Sequence, residues 1–237
     1  MNLNTRVVTN LALASVIAVG GVVAASSSAQ AGPACGSEPN MIFAKPGVVT
    51  YGTACADQII GTSGNDTIFG SNGDDEIMSG TGNDTIYGGN GNDDIYSGDG
   101  SDIVAGEAGD DFIQGGAKND TINGGAGDDI LRGDEGNDAI YSWAGTNVYD
   151  GSDELYGGDG NDSLNGYEGV DWVEGQAGDD SIQSHEVNPA YDHIVGGTGK
   201  DYFAVKDAIN HNQANRDNVD RDYYDVIVDQ NTADTFH

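Results

Sequence analysis

Residues 79–105 read SGTGNDTIYGGNGNDDIYSGDGSDIVA, three nine-residue units built to one grammar. Place six of each unit is aspartate (Asp84, Asp93, Asp102), place eight is β-branched (Ile86, Ile95, Val104), and place four is glycine (Gly82, Gly91, Gly100). The same count runs unbroken from Gly52 to Tyr141, resumes from Val148 to Gln183, and returns from Val187 to Ala204, giving sixteen frames. Place six is aspartate in all of them, so Asp57, Asp66, Asp75, Asp111, Asp120, Asp129, Asp138, Asp153, Asp162, Asp171, Asp180, Asp192 and Asp201 complete the set. Place four is glycine in thirteen, among them Gly64, Gly73, Gly109, Gly127, Gly136, Gly160 and Gly178; Cys55, Lys118 and Ala190 are the exceptions.

Each place has a physical task. Glycines at places one and four admit positive φ and let carbonyl oxygens crowd together, so the first six residues are expected to form a tight loop. Places seven to nine form a short strand whose middle residue points inward. A strand of three residues is not stable alone, so successive strands must stack in parallel, each turn rising about 4.8 Å. If strands alternate between two facing sheets, two frames make one turn. Asp66, Asp84, Asp102, Asp120 and Asp138 then form one ladder, and Asp57, Asp75, Asp93, Asp111 and Asp129 the other.

Carboxylates stacked so closely repel one another unless a cation lies between them. Calcium suits such a place, because it takes six to eight oxygens from carboxylates and backbone carbonyls in flexible loops. Magnesium demands a tighter octahedron with retained water, and zinc would ask for Cys and His. The sixteen aspartates and the loop glycines are therefore the expected calcium site. Uninterrupted eighteen-residue pairs suggest about ten ions, and continuing the ladders across two insertions raises the ceiling to fourteen.

The unit Gly88-Gly89-Asn90-Gly91-Asn92-Asp93-Asp94-Ile95-Tyr96 resembles the RTX calcium-binding nonapeptide, G-G-x-G-x-D-x-U-x with U a large apolar residue. The resemblance covers residues 52–204. It implies an all-β fold, a right-handed parallel β-roll with two repeats per turn. It also implies calcium held between loops two repeats apart by aspartate side chains and glycine-loop carbonyls, and folding only when calcium is present. Members of that family usually leave the cell by a type I system that reads an uncleaved carboxyl-terminal signal.

This chain instead resembles a substrate of the general secretory route. Arg6 precedes an apolar run, Leu11 to Ala25, and Ala29-Gln30-Ala31 forms an A-x-A cleavage site before Gly32. Residues 1–31 are expected to be a cleaved signal, leaving a secreted, extracellular product with no stable membrane span. Residues 32–51 then form an amino-terminal cap, and Cys35 and Cys55 suggest one disulfide across it. Residues 205–237 lose the repeat and read as a cap or tail, with Tyr223–Val228 as a strand covering the last coil. The insertions Ser142–Asn147 and Ser184–Glu186 are expected to bulge outward, so that Asp138 still meets Asp162 and Asp180 still meets Asp201. Lys118 in a glycine place either weakens the sites that use Asp120 or lends its ammonium as a cation.

Forty acids against eight bases give a formal charge of −32, which repels nucleic acid and anionic membranes. Catalytic motifs are lacking. HEVNP at 185–189 begins like H-E-x-x-H, but Pro189 occupies the second histidine's place and would break the helix. The four histidines are scattered, no G-x-S-x-G occurs, and Asp217, Asp220 and Asp222 lack the glycine and glutamate of an EF-hand loop. The sequons at Asn65, Asn83, Asn119 and Asn161 fall out of the repeat grammar. Tyr87, Tyr96, Tyr141 and Trp143 are surface contacts or cross-strand packing. The expected function is a non-enzymatic calcium-binding protein serving extracellular interaction, adhesion or a surface layer, with an unknown extracellular or cell-surface partner. The alternative is a calcium-stabilised enzyme acting on polysaccharide, or the remnant of an RTX hydrolase.

Overall fold

One apolar residue in nine suffices for a core when every such residue lands in the same column. The period of eighteen delivers that alignment. A computed structural model describes residues 35–145, 150–186, 192–207, 226–228 and 235–236, so the expected signal segment lies outside the described residues. Strands alternate between two parallel sheets throughout. The first sheet runs through Asn40–Phe43, Asp57–Thr62, Glu76–Gly80, Asp94–Asp99, Phe112–Ala117, Ile130–Glu135, Glu154–Asp159, Trp172–Ala177, His193–Thr198 and Val226–Val228. The second runs through Thr50–Tyr51, Thr67–Asn72, Thr85–Asn90, Ile103–Ala108, Thr121–Ala126, Ala139–Tyr141, Ser163–Asn165, Ser181–Glu186, Tyr202–Asp207 and Thr235–Phe236. The chain is an all-β, parallel β-solenoid with two repeats per turn.

Place eight forms the core. Ile59, Ile77, Ile95, Ile113, Leu131, Leu155, Val173 and Ile194 pair in sequence in the first sheet. Ile68, Ile86, Val104, Ile122, Ile140, Leu164, Ile182 and Phe203 do so in the second. All sixteen are at most 1% exposed. A β-branched side chain fits this place because it has neighbours directly above and below on the pleated surface.

The strands are longer than the expected three residues. Pairing skips place one and continues through places two and three, as where Gly89 meets Glu107 and Asn90 meets Ala108. The loop proper shrinks to places four to six. The glycines also divide their work differently from expectation. Positive φ falls at places two and four, for example at Gly89 (φ 122°) and Gly91 (φ 129°), and not at place one. Place one needs glycine for space instead: a Cβ on Gly106 would lie 2.1 Å from Asp111 Oδ2 and 2.6 Å from the Gly124 carbonyl oxygen. Where serine takes that place, at Ser79 and Ser97, its hydroxyl donates to the carbonyl of the next turn, Ser97 and Gly115 respectively.

The first insertion leaves the coil in step. Ser142 still occupies place one, its hydroxyl donating to the Gly166 carbonyl, so the extra residues follow it. Asp129 and Asp138 then pair with Asp153 and Asp162 across twenty-four residues. The second insertion does not bulge as expected. Ser184–Glu186 prolong their strand and pair with Val205–Asp207, which carries the coil past residue 204. Extending the ladder there satisfies backbone groups that a bulge would leave to solvent.

The ends are turns of the same coil without its grammar. Asn40–Phe43 pairs in register with Asp57–Ile60, and the disulfide Cys35–Cys55, Cα–Cα 5.5 Å, ties the entering chain to the first loop. Of the strand expected at Tyr223–Val228, Val226–Val228 is present and pairs with His193–Val195; residues 223–225 lie outside the described residues. Nine residues later, Thr235–Phe236 pairs with Tyr202–Phe203. In sequence, Asp225-Val226-Ile227 and Asp234-Thr235-Phe236 thus repeat places six to eight without glycine.

Ile113→Ala removes a fully buried side chain from the column and should cost roughly 2–5 kcal/mol, read as a lower guanidinium midpoint at saturating calcium.

Candidate metal centre

The aspartate at place six sits where the strand begins, which puts its carboxylate inside the coil beside the apolar column. All sixteen predicted aspartates are between 1% and 4% exposed. They form the two expected ladders, and each rung is the same contact. The backbone N–H of one aspartate donates to Oδ1 of the aspartate one turn on, at 2.7–3.0 Å, from Asp57 to Asp75 through to Asp180 and Asp201. All fourteen possible stacked pairs are made, including the four that bridge the insertions.

The second oxygen defines the site. In Asp75, Asp84, Asp93, Asp111, Asp120, Asp129, Asp138, Asp162 and Asp180, Oδ2 is buried with no hydrogen-bond partner. A buried anionic oxygen left bare costs several kcal/mol, so a fold that repeats it calls for a cation. Burial raises the carboxyls of Asp102 and Asp153, opposed by the backbone N–H of Asp84 and Asp129 and by the place-one hydroxyls of Ser97 and Ser142. Asp57 and Asp66 differ as ends of the ladders: their Oδ2 atoms accept the backbone N–H of Thr53 and Thr62, and Asn40 donates its amide to Asp57 Oδ1. Asn40 therefore acts as the neutral end of the first ladder.

Burial raises the carboxyls of seven ladder aspartates, opposed by the N–H of the preceding aspartate and reinforced by neighbouring carboxylates. Asp129 is raised to about 8, Asp75, Asp111, Asp120 and Asp180 to about 7, and Asp93 and Asp138 to about 6. In the metal-free fold the ladders thus hold protons that the unfolded chain would release. A seated cation reverses that preference.

The loop glycines frame the same space. Gly91 and Gly109 have positive φ, and a Cβ on either would lie 2.0–2.1 Å from the carbonyl oxygen of the loop one turn earlier. Gly73, Gly82, Gly127, Gly136, Gly160 and Gly178 share that conformation, whereas Gly64 and Gly100 do not. Lys118 keeps it with φ 78°; burial raises the Asp102 carboxyl, and the Lys118 ammonium is among the groups that oppose that rise.

The donors fit calcium in kind: oxygen only, carboxylate and carbonyl. No three carboxylates, imidazoles or thiolates converge on one point among the described residues. The six to eight oxygens calcium takes would therefore come largely from loop carbonyls, with one aspartate from each stacked loop.

One ladder was missed in the sequence. At place five, Asn or Asp accepts the backbone N–H of the residue one turn on, as Asn83 N to Asn65 Oδ1 and Asn137 N to Asn119 Oδ1, both 2.9–3.0 Å. Asn161 does the same for Asp179. The asparagines of the sequons are thus place-five members of this ladder. The signal was the recurrence of Asn or Asp before ten of the sixteen aspartates. Phe69 and Tyr87 stack at 4.8 Å and Tyr96 packs on Phe112, which is cross-strand packing.

A two-sheet solenoid with buried carboxylate ladders is a repeat scaffold for oxygen-seeking cations. The family described as RTX calcium-binding nonapeptide repeat (4 copies) matches residues 51–86, 69–104, 105–140, 114–149 and 147–182, and the chain belongs to it. It is a calcium-binding repeat protein. No curated protein matches the chain.

Two outcomes follow for solution. Because the folded carboxyls are raised, folding takes up protons between about pH 4 and pH 7, and metal-free stability falls as pH rises through that window. In chelator, thermal melts should show more β-structure at about pH 5 than at about pH 8, while half-saturation with calcium should need more calcium at about pH 6 than at about pH 8. Gly106→Ala, which drives a methyl into Asp111 Oδ2, should raise the calcium midpoint of folding and leave the disulfide intact, as read by circular dichroism and thiol titration.

Proposed function

We propose that this chain is an exported, non-enzymatic calcium-binding protein whose roll folds on meeting calcium outside the cell. It then serves as an interaction, adhesion or surface element. The observation that carries this reading is the column of buried carboxylate oxygens without partners, repeated turn after turn. Coupling follows from it: without cations the ladders are costly, so the free energy of metal binding becomes free energy of folding. The sites are the stacked loops, with the aspartates and loop glycines named above as ligands. Ten uninterrupted pairs would each take an ion, and the four bridging pairs raise the ceiling to fourteen.

Export is supported by the residues of the signal-like segment and by the disulfide, a bond that persists in oxidising compartments. A non-enzymatic role is supported by the use of the carboxylates, which are spent on ladders within the coil rather than paired across a cleft. An interaction role is supported by the outward face of the second sheet. Its places seven and nine run Thr67 and Phe69, Thr85 and Tyr87, Ile103 and Ala105, Thr121 and Asn123, and onward to Tyr202 and Ala204 with no charged residue. The first sheet's face, by contrast, carries Glu76, Asp94, Arg132, Glu154 and Glu174. In a chain of charge −32, these rows, uncharged at places seven and nine with Glu107 beside them at place two, are where another surface meets least repulsion.

Far-ultraviolet circular dichroism through a calcium titration after chelation, with magnesium as control, tests the reading. A cooperative gain of β signal with calcium alone is expected, and Asp111→Asn should move its midpoint to roughly tenfold higher calcium by removing one ligand charge. A spectrum already folded in chelator and indifferent to calcium would overturn the mechanism.

A further inference from the structure

The coil's amino-terminal end is an open edge. Asn40–Phe43 and Thr50–Tyr51 are the outermost strands of their sheets, each paired on one side only among the described residues. Asn40 N–H and Ala44 N–H donate to the Ala56 and Ile60 carbonyls, and successive residues of a strand aim their backbone groups to opposite sides. Met41 and Phe43 therefore hold N–H and C=O outward along the edge. In the other sheet Gly52 N–H donates to the Phe69 carbonyl, which turns the backbone groups of Tyr51 outward in the same way.

Side chains at this end are apolar and bare. Met41 is 60% exposed, Phe43 63%, Val49 45% and Tyr51 63%; they hold places seven and nine on either side of Ile42 and Thr50, which hold place eight. Ile42 packs on the core column as its last member and is only half-buried. Tyr51 is likewise the last ring of a stack with Phe69 and Tyr87, centroids 5.1 and 4.8 Å apart.

Charge selects the partner. Residues 35–51 carry one acid, Glu38, and one base, Lys45, so this end is neutral in a chain of charge −32. At the far end, Val226–Val228 and Thr235–Phe236 are flanked by Asp225, Asp229 and Asp234, which repel a second copy. Two copies therefore meet with least repulsion head to head. Pro39 and Pro46 bracket the first strand and keep its edge short.

We infer that two copies of this chain join head to head about a two-fold axis normal to the sheets, adding strand to strand in antiparallel order. With the axis at place eight, Met41 of each copy lies opposite Phe43 of the other, and each pair exchanges both of its backbone hydrogen bonds. Ile42 then meets Ile42 of the second copy as a non-hydrogen-bonded pair, Cα atoms about 4.5 Å apart, and the apolar column runs on from one coil into the next. The same axis sets Tyr51 opposite Val49 in the second sheet. Because both copies use the same strands, the contact is isologous and closes at two chains.

Sedimentation equilibrium of the exported chain at saturating calcium, with amide hydrogen exchange alongside, tests the pairing. A reversible monomer–dimer equilibrium is expected, with the Met41 and Phe43 amides protected only where the dimer prevails. Met41→Pro deletes an outward N–H and leaves the pairing with Asp57–Thr62 intact, so it should give monomer with an unchanged β signal. Phe43→Glu should do the same. Met41→Lys combined with Phe43→Glu in one chain should restore the dimer, since the new charges face each other between copies. A chain that is monomeric at every concentration overturns the inference, as does a dimer that both edge variants leave intact. Assemblies whose mass keeps growing with concentration would mean an open stack rather than a closed pair, and overturn it too.

Discussion

The hydrogen bond from one aspartate's backbone N–H to the next aspartate's Oδ1 is the contact on which the rest of the coil depends. It fixes the spacing of turns from the inside, ties loop to loop on both edges, and holds the carboxylates in line. It also uses only one oxygen of each carboxylate. In Asp75, Asp93, Asp111, Asp120, Asp129, Asp138, Asp162 and Asp180 the other oxygen is turned inward beside the place-one glycine and left bare, so the contact that organises the loops also creates their demand for a cation. Structure and binding are thus one arrangement.

A second ladder runs the opposite way. At place six the aspartate one turn on accepts from the turn before; at place five the side chain of the earlier turn accepts from the later. Where place five is Asn or Asp, the loop is gripped from both neighbours by adjacent residues. This explains how three residues can form a loop around bare carboxylates without collapsing into them. It also explains why the coil survives insertions: the grip requires only that places four to six arrive in step, and what lies after place one can vary in length.

The repeat, its period, the alternation between two sheets and the identity of both ladders were legible in the sequence, because aspartate at place six and an apolar residue at place eight never fail. Strand length was not. Glycine and asparagine at places two and three look like loop formers, yet here they pair, since a parallel neighbour offers their backbone groups partners whatever the side chain. The two final frames, around Ile227 and Phe236, escaped notice because they lack glycine, although Asp-x-apolar recurs at nine. Asn40 escaped for a like reason, being an aspartate place filled by its neutral amide at the coil's end.

By itself the sequence determined a periodic, acidic, calcium-seeking coil, because a strict period converts local residue choice into long-range alignment with no further information. Only the tertiary structure decided which oxygen of each carboxylate is satisfied, and that place-one glycine serves space rather than turning. Those matters depend on what the neighbouring turn presents at a given point. That neighbour is eighteen residues away in the regular coil and twenty-four across the insertion, a separation at which composition no longer specifies contact.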